Sequence, residues 1–217
     1  MPAATSVRKR LSRVIAEGPS AALRSAGFKK QGNSFARASG RCSHVVDVQQ
    51  SRGNTVERAE FTMNCGIYVL GATTLLADLK EPEFPKVRHA CVSVRCGMLA
   101  EAHRDIWWEV RAEAASTADV EVAQQMSQMV TGVILPFLER FSDDESVARF
   151  LESERDPRDR FIEPRAPALQ LAVAALIRSN AGDADACRVL IQRSLEAAKR
   201  TPLSETIELF ARKYGVG

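Results

Sequence analysis

Apolar and polar residues alternate without a break from Phe61 to Tyr68. Phe61, Met63, Cys65 and Ile67 take one parity, and Thr62, Asn64, Gly66 and Tyr68 take the other. A period of two is that of a half-buried strand, because successive side chains leave opposite faces of a sheet. Val46 and Val48 place a second strand at 42–51, on a face shared with His44 and Gln50. The link Gly53–Glu60 is polar and suits a hairpin, so the pair is expected to be antiparallel. Val92, Val94 and Cys96 alternate with Ser93 and Arg95, which predicts a strand over 90–97, and a further strand is predicted near 33–38. Trp107–Arg111 reads either as a strand or as the start of a helix.

Upstream of this run the spacing is helical. Val7, Leu11, Val14 and Ile15 form a stripe within a helix over 5–26. Gly18-Pro19 should break that helix, with Pro19 restarting it at a first-turn position. Gly27 then ends it. A left-handed residue at C′ costs glycine nothing, and this register sets Leu23 at C3 against Phe28 at C″, the apolar contact of a Schellman cap. Residues 70–90 form a long connection with a helical turn predicted at Thr73–Leu79. The clearest helix runs over 117–141, where Val120, Ala123, Val130, Ile134, Phe137, Leu138 and Phe141 share one stripe. It should lie on the sheet and close the core, and Pro136 should kink it. Ser142 with Glu145 reads as a capping box for a short helix to about Ser153.

The composition changes after that helix. Glu152–Pro167 is charged and holds three prolines, which reads as a linker. Helices follow near 167–181, 184–199 and 202–213, with Asp183 as N-cap of the second and Thr201-Pro202 starting the third. The stripes Leu169/Val173/Leu176 and Cys187/Leu190/Ile191/Leu195 suit an antiparallel hairpin. A single hairpin cannot bury both its faces, so it should dock on the rest of the chain or on a second copy, which makes a homo-oligomer through the tail a possible arrangement. The expected fold is therefore α+β. An N-terminal helix and an antiparallel sheet of four to five strands, covered by a long helix, fill 1–153. A linker occupies 154–166 and a helical tail 167–217.

Composition adds little to this picture, and charge slightly more. Residues 1–60 carry eleven Lys/Arg and four Asp/Glu, a net of +7, within a whole-chain net of +3. The basic residues are spread over a helix, a turn and strands without interleaved exposed aromatics, which argues against a nucleic-acid surface. Five cysteines at 42, 65, 91, 96 and 187 are an odd, scattered set that suits a reducing, cytoplasmic setting. No apolar run approaches the ~18 residues of a membrane helix. Gly27–Ser34 has the outline of a phosphate loop, but Asn33 stands where Lys is needed and the stretch leads from a helix into a strand. His44, His89 and His103 have no ligand spacing among them. Neither a metal nor a cofactor is expected.

The chemistry-bearing set lies on the polar parity of the strands. Gln50-Ser51-Arg52, Asn64 and Arg95 sit within or at the ends of strands, and Asp105-Ile106-Trp107-Trp108 follows. Adjacent tryptophans in a strand face opposite sides, so one packs inward and the other is available to a partner. The candidate binding residues are Arg52, Asn64, Arg95, Trp107 and Trp108, with no catalytic residue assigned. Asp47 and Glu60 are the acids on the central hairpin, poor material for proton transfer.

Gly27-Phe28-Lys29-Lys30, Asn33-Ser34-Phe35, Gln49-Gln50-Ser51, Phe61 through Gly66, Arg95 with Gly97, and Asp105 with Trp107-Trp108 together resemble the DUF4304 family, over roughly residues 8–150. That family is bacterial and brings no established activity. Domains of this kind sit near conflict and toxin systems, so the resemblance implies an immunity-type or regulatory module that binds another protein. The alternative from the residues is a metal-independent hydrolase or nuclease acting from Gln50, Arg52, Asn64 and Arg95.

Overall fold

The computed structural model describes residues 6–72 and 80–216, so the turn expected at Thr73–Leu79 lies outside the described residues. Helices α1 (Val7–Glu17) and α2 (Pro19–Ser25) lead into six antiparallel strands: β1 (Lys29–Gln31), β2 (Ser34–Ser39), β3 (Cys42–Gln50), β4 (Arg58–Val69), β5 (Val92–Arg95) and β6 (Trp108–Arg111). The strands β1 to β4 lie side by side in chain order. Both β5 and β6 pair with the far edge of β4, β5 along Asn64–Ile67 and β6 along Arg58–Phe61. A twelve-residue β4 is long enough to hold both. The short helix α3 (Cys96–Leu99) follows β5. After β6 come α4 (Ser116–Met129), a π-helical segment Val130–Ile134, α5 (Leu135–Glu139) and α6 (Asp144–Glu152). The tail is α7 (Pro167–Asn180), α8 (Ala184–Ala198) and α9 (Ser204–Lys213).

The sheet exceeds the four to five strands expected because of β1. Its Lys-Lys-Gln sequence is exposed throughout and so carries no alternation to read. Residues 105–112, which could have been strand or helix, contain β6.

Several helix ends follow directly from sequence. The first helix breaks at Gly18, where an added Cβ would stand 2.5 Å from the Ala123 carbonyl oxygen, so glycine is what lets α4 approach this closely. At Gly27 (φ +86°) the Phe28 amide donates to the Leu23 carbonyl (3.0 Å) and the Gly27 amide to that of Arg24 (2.9 Å), the Schellman pattern. Pro136 does more than kink its helix. A proline ring collides with the carbonyl four residues back, and here the chain widens instead, with the Leu135 amide bonded to Val130, five residues back. The capping box sits one residue later than expected. Asp143 Oδ1 accepts from the Ser146 amide (2.7 Å) while Ser146 Oγ accepts from the Asp143 amide (3.3 Å). Asp183 caps α8 as expected (3.0 Å). The last helix begins at Ser204, because Thr201 Oγ1 spends itself on the Leu203 amide in a preceding turn.

The core starts on one face of β4. Ala59, Phe61, Met63, Cys65, Ile67 and Val69 join Phe35, Val46, Val48, Val92, Trp108 and Val110 in one apolar cluster, beneath Leu11, Val14, Ala123, Met126, Ile134 and Leu138. The same cluster continues through Val147 and Leu151 into the tail at Leu171, Val173, Leu176, Leu190, Ile191 and Phe210. The tail's apolar stripes are thus buried within the chain itself. The charged stretch between body and tail is also tied down, since Ser93 and Glu163 exchange two backbone hydrogen bonds (3.1 and 2.7 Å).

Two polar devices close the edges of this cluster. Arg10 is buried with all five guanidinium N–H groups used. Nε and Nη2 donate to the Asp119 carboxylate (2.9 and 3.0 Å), and Nη1 and Nη2 donate to the carbonyls of Ala112, Ala114 and Ala115. Arg13 adds a second guanidinium to Asp119 (2.9 Å). On β3, His44 Nε2 donates to the Phe141 carbonyl (2.7 Å) and Nδ1 accepts from Arg37 (3.0 Å), which fixes the neutral ring. All five cysteines are buried and unpaired. Burial pushes the Cys42 and Cys91 thiols up to about 12. No helix among the described residues is long and apolar enough to cross a membrane.

Candidate functional site

The face of the sheet opposite the core divides into three zones along β4. At the hairpin end, Arg58 pairs with Glu60 along β4 and with Glu109 across the β4–β6 ladder, and Arg111 pairs with Glu109 along β6. The Arg111 and Arg58 guanidiniums hold the Glu109 carboxyl below its usual range. At the other end Ala36, Val45 and Tyr68 form a small apolar cluster beneath Phe84, Val87 and Ala90. Asp47 Oδ2 fastens that cover by accepting from the Val87 amide (3.2 Å).

Between a neutralised charge lattice and a covered end lies an open polar patch. Asn64 and Arg95 are direct cross-strand partners, so both side chains rise on this face. Asn64 Nδ2 donates to Gln49 Oε1 (2.8 Å). Asp105 Oδ2 is the hub, accepting from Arg95 Nη1 (2.5 Å) and from Trp107 Nε1 (3.0 Å). The Arg95 guanidinium stands 5.3 Å from the Trp107 ring centre. Thr62 Oγ1 holds the loop in place by donating to the Ile106 carbonyl (2.7 Å). Asn64, Ser93 and Arg95 line a cavity of about 310 Å³ that Val87, Met98, Phe161, Glu163 and Arg165 complete. Its lining thus mixes apolar side chains with hydrogen-bonding and charged groups.

The structure brings together three of the five residues proposed from sequence: Asn64, Arg95 and Trp107. Trp108 is on the other face, 6% exposed, in register with Phe61 within the core. This is the inward member of the tryptophan pair. Arg52 lies exposed in the β3–β4 turn, outside the lining of this cavity. Gln49, rather than Gln50, belongs to the patch, and strand parity carried that signal, since Gln50 shares the face of Val46 and Val48. Phe161, Glu163 and Arg165 were not foreseen, because a charged, proline-rich stretch gives no sign of which strand edge it joins.

Ser93 lines the cavity, but among the described residues no base is hydrogen-bonded to its hydroxyl. The nearest contact of nucleophile-and-base type is elsewhere, where Lys30 Nζ donates to Ser20 Oγ (3.2 Å). Burial, then the Arg24 charge, lower the Lys30 pKa. Ser20 is 0% exposed, however, so no substrate reaches its hydroxyl in this fold. No group of three or more His, Cys, Asp or Glu that could hold a metal ion occurs among the described residues.

Residues 20–140 match the family described as Domain of unknown function (DUF4304). That span exceeds half of the chain, and the chain belongs to this family. No curated protein and no solved structure matches it. The matched span contains Asn64, Arg95, Asp105 and Trp107. It ends before Phe161, Glu163 and Arg165, so the outer wall of the cavity comes from the part of the chain beyond the family match.

Proposed function

We propose that this DUF4304 member is a protein-binding module that takes its partner on the Asn64–Arg95–Trp107 patch. The observation that carries the reading is the state of Arg95. Its guanidinium is held in one orientation by Asp105 and faces an aromatic ring that is 36% exposed. Arginine and tryptophan are the residue types most often found at interface hot spots, and an immobilised side chain has less entropy to lose on binding. The patch offers hydrogen-bond donors, acceptors and apolar side chains, which suits recognition. Proton transfer would need a nucleophile or acid with a base in reach; among the described residues the Ser93 hydroxyl has no base hydrogen-bonded to it, and Asp105 is taken up by Arg95 and Trp107.

The proposed setting is the bacterial cytoplasm, where five buried, unpaired thiols suit a reducing compartment. The proposed role there is that of an immunity-type or regulatory partner. Affinity capture from the native host tests this, using wild type beside an Asn64→Ala/Arg95→Ala variant as paired baits. The expected result is one or a few proteins retained by wild type and lost by the variant, with both baits equally folded. Identical retention by the two baits would remove the patch from the function. Hydrolysis of an ester or a nucleic acid by wild type, lost in the variant, would replace binding with catalysis.

A further inference from the structure

We propose that a second concavity, separate from the patch, binds a small organic cation: an amine or amidine carried on an apolar body. It is a cleft of about 790 Å³ between the loop after α3, the π segment and the turn at Asp156–Asp159. That size fits a small-molecule ligand.

Two departures from regular backbone meet in this cleft. One is the π segment, whose Gly132 lines the cleft and would have no atom within 4 Å of an added Cβ. The other is His103, held at φ +43°, in the left-handed region that costs a non-glycine residue energy. Single π turns and strained non-glycine residues both gather at functional sites, because only a surrounding purpose-built structure sustains them. Pro136 explains how the π turn forms, but it does not explain why the opened helix faces the strained histidine.

The lining identifies the ligand's chemistry. Leu99, Val133, Pro136 and Phe137 supply apolar wall. Both arginines of the cleft are already neutralised. Arg140 donates twice to Asp159 (2.8 and 2.6 Å), and Arg158 binds Asp156 (2.7 Å). Among the described residues, the side chains of this lining left without a charge partner are His103 and Glu101. His103 Nδ1 lies 2.8 Å from the Met98 carbonyl, which can only accept, so Nδ1 is the donor there and, in the neutral ring, Nε2 is the acceptor. Glu101 is exposed and has no ion-pair partner among the described residues. Counting Arg140 and Arg158 against Glu101, Asp156 and Asp159, the lining is net −1. A ligand that donates hydrogen bonds and carries positive charge matches both unspent groups, whereas an acid would meet an acceptor and a carboxylate.

An amide NMR titration of the full chain with phenethylamine, set against phenylacetate, tests the assignment. The amine should shift the Gly132 and His103 resonances to saturation, and the acid at equal concentration should leave them in place. Gly132→Leu places a side chain in the cleft from a position where an added Cβ meets no atom within 4 Å, and should abolish the amine-induced shifts in a protein that remains folded. His103→Gly removes the imidazole and the backbone strain together, and should weaken amine binding by roughly three- to tenfold, as expected for one lost hydrogen bond. An equal response to amine and acid, an absence of saturable shifts at Gly132, or undiminished amine binding by Gly132→Leu would each overturn the proposal.

Discussion

The two faces of β4 are built from one strand, and they have opposite fates. The inward parity, from Ala59 to Val69, is sealed on every side and continues into the helical tail. The outward parity is charged at one end, covered at the other and open in the middle. The inward face is a local property, because any apolar residue at alternate positions ends there. The outward face depends on what crosses it, and the crossing segments come from residues 84–90, 105–107 and 161–165. Packing is thus written strand by strand, while the candidate site is assembled from pieces far apart in the chain.

The comparison breaks most completely if the inward face loses its outermost cover. Along α7, Ala168 and the run Gln170–Ile177 are buried, and Ile162 belongs to the same cluster. A chain ending at Asp156 would expose Val147, Ala148 and Leu151 on α6. We expect that truncation to lose its cooperative thermal transition. A sharp transition in the 1–156 protein would instead make the tail an independent appendage, as the composition of Glu152–Pro167 suggested.

The next largest effect belongs to Asp119. Its removal leaves Arg10 buried with an uncompensated charge, and breaking a buried pair costs about 3–5 kcal/mol. Urea unfolding of Asp119→Ala should show a loss of that size. A loss below about 1 kcal/mol would mean that water replaces the carboxylate, and that α1 is not part of the seal.

His44 gives the seal a pH dependence. Burial, the largest cause, and then the neighbouring Arg37 charge lower its pKa from 6.5. The unfolded chain therefore takes up a proton near pH 6.5 that the folded chain refuses. Stability should be level above that pH and fall as the pH drops below it, with a slope of at most about 1.4 kcal/mol per pH unit for one proton. His44→Gln keeps a donor for the Phe141 carbonyl and an acceptor for Arg37, so it should flatten the acid limb. An unchanged limb in that variant would assign the effect to another group.

Legibility in the sequence follows the same division. The β4 alternation, the Gly18-Pro19 break, the Leu23–Phe28 contact across Gly27 and the Asp183 cap were readable because each depends on neighbours within a few residues. Strand β1 was not, since its three polar residues show no period. The Arg10–Asp119 pair was not, because it joins two helices 109 residues apart. Within the patch, parity placed Asn64 and Arg95 on one surface, whereas for Trp107 and Trp108 it required only that one of the two face outward. The Phe161–Arg165 wall reaches β5 through the Ser93–Glu163 backbone pair, a contact that no side-chain pattern announces.

The smallest stability effects are expected on the outward face, and they sharpen the contrast best. The Arg95 and Asp105 side chains are 30% and 41% exposed, a range in which an ion pair contributes about 0–1 kcal/mol. Asn64→Ala leaves Gln49 with water in reach, so it should stay within about 0.5 kcal/mol of wild type. Arg95→Ala and Trp107→Ala should each cost under about 1 kcal/mol in urea unfolding. Against a captured partner the same substitutions should weaken binding by about 1–3 kcal/mol. A double-mutant cycle between Arg95 and Trp107 then separates two cases. If Asp105 and the indole hold Arg95 ready for the partner, the pair couples in binding and hardly at all in folding. Coupling in folding alone, with a loss of several kcal/mol for either single variant, would make Arg95 a latch over the sheet, and the outward face would be as structural as the inward one.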